Sequence, residues 1–366
     1  QDTTQAVASE RVRFYINGQR ETSFSTETYP ALNYQGYINT AALHDIGVSR
    51  PSGSISGYFD GYMAEIVLID GESLDSSSFG EYNSSGIWVP KDVSGLTFGT
   101  NGFHIKGEDS SDLGNDSSGN GNDYSTSGLA SHDQVSDSPS NNFATFNPIY
   151  ADNSGINVVT LANGNLQGTG TSGQFDHKAA TVNLPKSGKW YFEYYLGGLY
   201  TGMGLCIVGQ EGSIASSYGL GSLSTSQGFG FQNGRIFNSN SITTLFDGYG
   251  DVSAGDILNC AFDVDNDKVY LGINNTYYAA DGGNDGNPTS GTNPTITTSF
   301  SLSENDMIIS FYLSSSSGSA YLNFGQEGTF AGNKTAGGNS DANGIGNFLY
   351  SVPTGFKALC TKNLGS

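Results

Sequence analysis

The sequence has 366 residues, including 21 tyrosines, 21 phenylalanines and 52 glycines, and its formal net charge is −21. A chain of this length exceeds the size at which one hydrophobic core usually keeps growing, so two domains are expected. The negative charge repels phosphate groups and argues against binding to nucleic acid or to an anionic membrane surface. Because the sequence has no run of about 18 apolar residues, we also predict no membrane insertion.

Strand patterns dominate the first 150 residues. Residues 11–16 alternate polar and apolar side chains and precede Asn17-Gly18, a dipeptide typical of tight hairpin turns. Residues 61–69 form a second strand pattern, which stops at a turn signal, and we expect both strands in one sheet. From about 107 to 142, Gly, Ser, Asn and Asp replace the large apolar residues, which indicates a long polar loop.

A second strand-rich block begins near residue 156. Its strand patterns lie at 189–195, 256–264, 268–273, 307–313 and 320–325. The Gly- and Asn-rich segments 281–297 and 331–346 are expected to be exposed loops. Since every connection is a turn or loop and no crossover helix is available, we predict antiparallel sheets.

The second block resembles the SPRY family, from about residue 160 to 364. The stretches that carry the resemblance are 188–193, 255–258, 262–266, 269–274, 322–326 and 353–359. Their order and spacing agree with the family, and the combination is more specific than any single stretch. The resemblance implies a concanavalin-like β-sandwich that presents loops for binding, and it implies no particular ligand.

The first block resembles laminin-G-type concanavalin modules of bacteriophage tail-fibre and structural proteins, especially those of marine phages. The stretches that carry this resemblance are 13–18, 59–66, 69–71, 79–82, 116–123 and 137–148. Such modules begin with several strands ahead of the segment that starts here at Asp2, so we expect the first sandwich to be incomplete. An upstream part of the same polypeptide or a neighbouring subunit is expected to supply the missing strands.

We therefore predict an all-β chain of two concanavalin-like antiparallel β-sandwiches, or jelly rolls, in tandem. Residues 1–150 are expected to form the laminin-G-like sandwich, with the polar loop 107–142, and residues 151–366 the SPRY-like sandwich. The three cysteines show neither disulfide-framework nor zinc-site spacing. Cys260 alternates with apolar neighbours and is predicted to be a buried small hydrophobic residue.

The polar loop offers the hard oxygen ligands that Ca²⁺ prefers. Its acids and amides are Asp109, Asp112, Asp116, Asn120, Asn122 and Asp123. The core of this candidate metal site is Asp112, Asp116, Asn120 and Asp123. Asp and Asn also simply form turns, and the twelve-residue calcium-loop pattern is missing, so solvated turns are the default and a structural calcium ion the alternative. No other cofactor is expected.

Two further groups of side chains, one acidic and one aromatic, are candidates for a binding site. Asp263, Asp265 and Asp267 alternate along one predicted hairpin, and we interpret them as a solvated hairpin tip. Strand aromatics usually pack in the core, so only tyrosines expected on loops are candidates for stacking on a sugar or on a protein partner. These candidate binding residues are Tyr200, Tyr218, Tyr277 and Tyr278.

Catalysis finds little support in the sequence. The four histidines are scattered, and none lies beside a Ser or Cys in a nucleophile motif. Concanavalin-like folds also host glycosidases, but the Glu-x-Asp-x-x-Glu strand signature of laminarinase-like glucanases is missing. Glu193 is the nearest acidic candidate, and we predict that it is an edge-facing polar residue.

The leading functional hypothesis is therefore a non-enzymatic bacteriophage protein at the virion surface, and hence extracellular. It would be a tail-fibre or receptor-binding protein that recognises a host surface glycan or protein. Its expected partners are further copies of itself, as in a trimer, and other virion proteins. A purely structural fibre or capsid-decoration component is the first alternative, and an extracellular glycan-active enzyme is the second.

Overall fold

The computed structural model describes residues 1–365 apart from 60, 85, 139, 151–158, 172–175, 199–200, 209–227, 233–234, 239–240, 245–251, 299 and 314–317. The chain divides into unit 1, which is Gln1–Gln134 with Ser138–Ser140, and unit 2, which is Val135–Asp137 with Asn141–Ser366. The domain limits 1–150 and 151–366 stay a prediction. Among the described residues, none of the helices has the length and apolar character needed to cross a membrane.

Unit 1 contains short strands joined by long irregular segments. Its strands are β1 (Phe14–Ile16), β2 (Gln19–Glu21), β3 (Ile66–Leu68), β4 (Gly80–Tyr82), β5 (Trp88–Pro90) and β6 (Phe103–Ile105). They form three antiparallel pairs, β1 with β2, β3 with β6, and β4 with β5. Single 3-10 turns occupy Ala8–Glu10, Pro51–Gly53, Ser76–Ser78 and Ser131–Asp133.

The predicted hairpin at Asn17-Gly18 is present between β1 and β2. Both turn residues have positive φ, 48° and 76°, as a two-residue hairpin turn of the favoured twist requires. The expectation that β1 and β3 share a sheet was wrong, because β3 pairs with β6 and its central residue Val67 lies opposite His104. The described part of unit 1 buries few large apolar side chains, among them Val93, Phe98 and Ile105.

Unit 2 contains two large sheets. Its strands are β7 (Val159–Ala162), β8 (Gln167–Gly170), β9 (Asp176–Ala179), β10 (Lys189–Tyr195), β11 (Gly202–Ile207), β12 (Gly228–Gln232), β13 (Arg235–Asn238), β14 (Ser241–Thr244), β15 (Ile257–Asp263), β16 (Lys268–Ile273), β17 (Thr276–Tyr278), β18 (Ile296–Thr297), β19 (Met307–Leu313), β20 (Ser319–Asn323) and β21 (Lys357–Ala358). A 3-10 turn covers Val264–Asn266, and the helix α1 covers Thr361–Leu364.

The first sheet has nine strands in the order β17-β16-β15-β10-β20-β8-β7, with β18 beside β16 and β21 beside β10. The second sheet has the order β14-β13-β12-β11-β19-β9. Every pair is antiparallel except β10 with β21, which is parallel. The predicted hairpin of β15 and β16 is present, with Leu258 opposite Ile273.

Aromatic side chains from both sheets meet in one core. Phe192 of β10 stacks on Phe262 of β15 at 5.8 Å and meets Phe311 of the second sheet edge-on at 6.0 Å. Tyr194 of β10 lies 5.3 Å from Phe311. Alternate residues of one strand thus pack between two sheets, which is the arrangement of a β-sandwich. The all-β sandwich prediction is confirmed, whereas a second, tandem sandwich in unit 1 stays a prediction.

The other face of the first sheet is also covered. Tyr191 and Tyr195 of β10 project away from the sandwich core and pack against Phe348 and Phe330, at 5.1 and 5.9 Å between ring centroids. We call residues 324–356 the C-terminal cover. Because this cover forms a third layer, β10 is buried on both faces. The expectation that segment 331–346 is an exposed loop needs correction at Asp341, which is buried.

Candidate functional site

Among the carboxyl groups of the described residues, that of Glu193, in the middle of β10, has the most strongly shifted pKa. Its side chain is fully buried between the sheet and the C-terminal cover. Oε1 accepts hydrogen bonds from the Tyr191 hydroxyl (3.0 Å) and the Tyr350 amide (2.8 Å). Oε2 accepts from the Leu349 amide (2.9 Å) and from Nδ2 of Asn323 (3.1 Å). This one carboxyl group therefore fastens the cover to the sheet.

Burial raises the pKa of Glu193 from its ordinary value of 4.5 to about 7. Removal from water disfavours the charged form, and the four hydrogen-bond donors offset this effect only in part. Glu193 is thus a titratable group near neutral pH. Perturbed acids are candidates for catalysis, but structural networks perturb pKa values as well.

The neighbours of Glu193 form a closed polar row under the cover. Asn259 of β15 lies opposite Glu193, and its Nδ2 donates to the Tyr191 hydroxyl at 2.8 Å. The side-chain oxygen of Asn323 accepts from the amides of Gly325 and Glu327 at 2.8 and 3.1 Å. Because these side chains have hydrogen-bond partners, the row suits a structural role in holding the cover.

The prediction that Glu193 faces an edge was wrong. Its strand is central in the sheet, because β15 and β20 pair with it on either side. The sequence signal for burial was the aromatic composition of β10, in which Glu193 stands among Phe and Tyr residues. The donors Leu349 and Tyr350 lie far along the chain, and no local pattern points to them.

Two of the four candidate tyrosines, Tyr277 and Tyr278, lie among the described residues. Tyr200 and Tyr218 lie outside the described residues. Tyr277 and Tyr278, expected on a loop, belong instead to strand β17 at the edge of the first sheet. Tyr277 is buried and Tyr278 half-buried, so Tyr277 is badly placed for contact with a partner.

The predicted metal loop is organised by hydrogen bonds. Asp116 is buried, and its two oxygens accept from the amides of His104 (2.8 Å) and Asn122 (3.0 Å) and from the Ser118 hydroxyl (2.8 Å). Burial opposes ionisation of Asp116, but these bonds outweigh it and lower the pKa of the carboxyl group. The carboxylate of Asp123 in turn accepts from the Asp116 amide at 2.8 Å.

The other two predicted ligands do not join Asp116. Nδ2 of Asn120 donates to the carbonyl groups of Gly99 (2.6 Å) and Gly102 (2.8 Å), and Asp112 is exposed. Across the described residues, no group of three or more His, Cys, Asp or Glu side chains is placed to hold a metal ion. These acids and amides close turns, and the calcium ion stays a prediction.

The prediction of a solvated hairpin tip for Asp263, Asp265 and Asp267 was wrong for Asp263, whereas Asp265 is exposed. Asp263 is buried and forms an ion pair with Lys189, with 3.0 Å between Nζ and Oδ2. Asp265 accepts from the Gly188 amide at 2.9 Å. Asp267 adopts a positive φ of 54° at the end of the turn. These acids fix the hairpin, and local spacing alone misjudged the burial of Asp263.

Apolar exposure differs sharply between the two units. Among the described residues, all but three of the exposed large apolar side chains belong to unit 1. The exceptions in unit 2 are Ile149, Val208 and Leu364. The most exposed members in unit 1 are Tyr37 (82%) and Leu43 (74%). This difference could not be predicted from the strand patterns, because both blocks have them.

The class defined by these features is a β-sandwich with an added cover. No protein-family model matches the chain, and no curated protein matches it. Similar solved structures include the SPRY domain of human HERC1 (16% identity, covering 48% of this chain and 96% of that chain, TM-score 0.33). Stonustoxin (18%, 49% and 27%, TM-score 0.34) and the TRIM65 PSpry domain (14%, 49% and 88%, TM-score 0.33) are also similar. The sandwich assignment itself rests on the two sheets and their shared core.

Proposed function

We propose that this chain is a recognition component of a bacteriophage surface appendage, such as a tail-fibre or receptor-binding protein. Unit 2 would recognise a host surface glycan or protein, and unit 1 would join copies of the chain. The virion context rests on the sequence resemblance. The observation that carries the division of labour is the apolar surface of unit 1.

Exposed apolar side chains of unit 1 are concentrated along one stretch of the sequence, residues 34–59. We define the apolar segment as Tyr34, Tyr37, Ile38, Leu43, Ile55, Tyr58 and Phe59, all of which are exposed. Single exposed apolar residues are normal in monomers, but a concentration of them marks an interaction site. Tyrosine and phenylalanine are also enriched in protein interfaces. A protein partner on this segment would remove these side chains from water.

A further copy of the same chain is the partner that this proposal names. Each copy carries a formal net charge of −21, so copies repel one another at low ionic strength. Salt screens that repulsion while leaving apolar burial intact. Association should therefore strengthen as salt rises. An oligomer would also present several copies of unit 2 to a surface, so that weak contacts gain avidity.

Sedimentation velocity on the full chain tests the role of unit 1. We expect an oligomer that is more populated at about 0.5 M than at about 0.05 M NaCl, because the Debye length shortens from roughly 14 to 4 Å. The double variant Tyr37→Ser, Tyr58→Ser should shift the chain to monomer. Ile149→Ser is the matched control, since Ile149 in unit 2 is 89% exposed. A chain that stays monomeric at both salt concentrations contradicts the proposal.

Binding of the oligomer to a glycan array and to bacterial cells tests the role of unit 2. Loop 281–297 is unsuited to trimming, because Ile296 lies in β18 and Thr295 is buried with its Oγ1 2.8 Å from the Leu271 amide. The exposed Asn284 allows a milder change, Asn284→Arg, with Ala342→Arg as the control in another loop. Selective loss in the first variant supports recognition through this loop. Oligomers without any such binding favour the structural alternative, and hydrolysis of a polysaccharide favours the enzymatic one.

A further inference from the structure

Unit 1 contains a cavity that the proposed function does not use. Its volume is about 270 Å³, and its lining is Glu65, Val67, Phe79, Pro90, Lys91 and Val93. Val67 lies in β3, and Glu65 immediately precedes that strand. Phe79 immediately precedes β4, Pro90 ends β5, and Lys91 and Val93 follow β5. Glu65 and Lys91 are exposed, so the cavity communicates with solvent. The volume lies just below the usual range for ligand pockets, about 300–1,000 Å³, which suits one small ring.

Glu65, which carries the carboxyl group at the cavity, has an unusual backbone conformation. Glu65 has a φ of +56°, in the left-handed region that favours glycine. A side chain kept in such a conformation stores strain, and strain of this kind concentrates at functional sites. The neighbouring Ile66 pairs with Ile105 in the β3–β6 ladder, so the strained position immediately precedes a fixed strand.

A buried histidine also orients this carboxyl group. Nε2 of His104 lies 2.6 Å from Oε2 of Glu65. The His104 ring is buried and stacks on Phe98 at 5.9 Å, and its backbone amide donates to Asp116. His104 cannot follow Glu65 into solvent without leaving these contacts. The pair therefore presents a carboxylate in one orientation at the cavity wall, as a preorganised binding group requires.

Both charges of the cavity already have a partner. Glu65 is paired with His104, and Nζ of Lys91 lies 3.9 Å from Oε2 of Glu81 and 3.3 Å from the Ser77 carbonyl oxygen. Because both Lys91 contacts are long, its ammonium group can also donate a hydrogen bond to a ligand. One acidic and one basic side chain in the same lining can each hydrogen-bond to the hydroxyl groups of an uncharged ligand.

The rest of the lining is apolar and consists of Val67, Phe79, Pro90 and Val93. A sugar ring has hydroxyl groups that both donate and accept, and an apolar C–H face that packs on an aromatic ring. We propose that this cavity binds a single neutral hexose unit, with Glu65 accepting from hydroxyl groups and Lys91 donating to one. The proposal does not depend on the oligomeric appendage function or on recognition by unit 2.

Saturation-transfer NMR on the full chain, with glucose, galactose, mannose and N-acetylglucosamine as probes, tests this site. We expect at least one of these sugars to bind with a millimolar Kd and to shift the His104 imidazole resonance saturably. Glu65→Gln should weaken binding at least tenfold, and Lys91→Ala, at an exposed position of the lining, should weaken it as well. Glu108→Gln is the matched control, because Glu108 forms the separate Lys106–Glu108 pair at 3.4 Å.

Three outcomes overturn the proposal. The first is that none of the four sugars shifts the His104 resonance while the chain remains folded. The second is that Glu65→Gln and Lys91→Ala bind as well as the parent chain. The third is that free leucine, a zwitterion that matches both charges, binds in place of the sugars. The same titration can be carried out on the monomeric variants of the sedimentation experiment, because the cavity lies within one copy of unit 1. Failure of the oligomer proposal therefore leaves this test intact.

Discussion

Replacing Glu193 by glutamine should change how the stability of unit 2 depends on pH. The pKa of the buried Glu193 is raised from 4.5 to about 7, so between these values the folded state holds a proton that the unfolded state has lost. Stability from this group is therefore complete below pH 4.5 and falls as pH rises to about 7. At about 1.4 kcal/mol per pH unit, the full loss is about 3 kcal/mol.

The glutamine variant removes this loss, because an amide does not ionise. At low pH we expect Glu193→Gln to be less stable than the parent by about 1–3 kcal/mol, since its NH₂ group faces two of the four donors. Between pH 5 and pH 8 the parent should lose about 2–3 kcal/mol that the variant keeps. Above pH 7 the variant should therefore match or exceed the parent in stability.

Urea unfolding followed by tryptophan fluorescence measures this difference. Trp88→Phe leaves the buried Trp190 of β10 as the reporter for unit 2. Glu304→Gln, at an exposed position of the same unit, controls for the loss of one carboxyl group. A difference between parent and Glu193→Gln that stays constant with pH would refute the reasoning. It would mean that the four donors keep Glu193 ionised in the folded state.

Three further predictions concern other parts of the chain. Gly18→Ala should lower the thermal stability of unit 1 by more than about 1 kcal/mol, because φ is +76° there and an added Cβ would lie 2.3 Å from the Trp88 ring. EDTA should leave the melting temperature of unit 1 unchanged, since hydrogen bonds already satisfy Asp116; a calcium-dependent rise in the melting temperature would revive the metal site. In the native chain, DTNB should react with none of the three thiols, those of Cys206, Cys260 and Cys360, because all three are buried. Reaction without denaturant would show that the core opens.

The sequence predicted those parts of the fold that depend on residues adjacent to one another in the chain. The Asn17-Gly18 turn and the β15–β16 hairpin were predicted because turn residues and flanking strands are adjacent in sequence. The partner of β3 was not predicted, because β6 lies about 35 residues further on and many strand patterns compete for that position. Pairing between distant strands is decided by packing that involves the whole chain.

Side-chain burial was predicted less well than strand position. Alternation along β10 gives the face of Glu193, but the sequence does not show that the C-terminal cover lies over that face. The pairing of Glu65 with His104 was missed for a similar reason, since 39 residues separate them. The strand pattern 61–69 includes Glu65, whereas β3 begins only at Ile66. Backbone strain at Glu65 is invisible in a sequence without glycine there.

The C-terminal cover also constrains how unit 2 can be assembled during synthesis. Until residues after β20 have left the ribosome, Glu193 and the rings of Tyr191 and Tyr195 face water on a sheet that still lacks β21. The Leu359 carbonyl then accepts from the Ala144 amide at 3.2 Å, which joins the two ends of the unit. A nascent chain of this protein therefore exposes an aromatic face until the C-terminal cover has been synthesised and has folded onto it, and a chaperone would bind the chain at this stage.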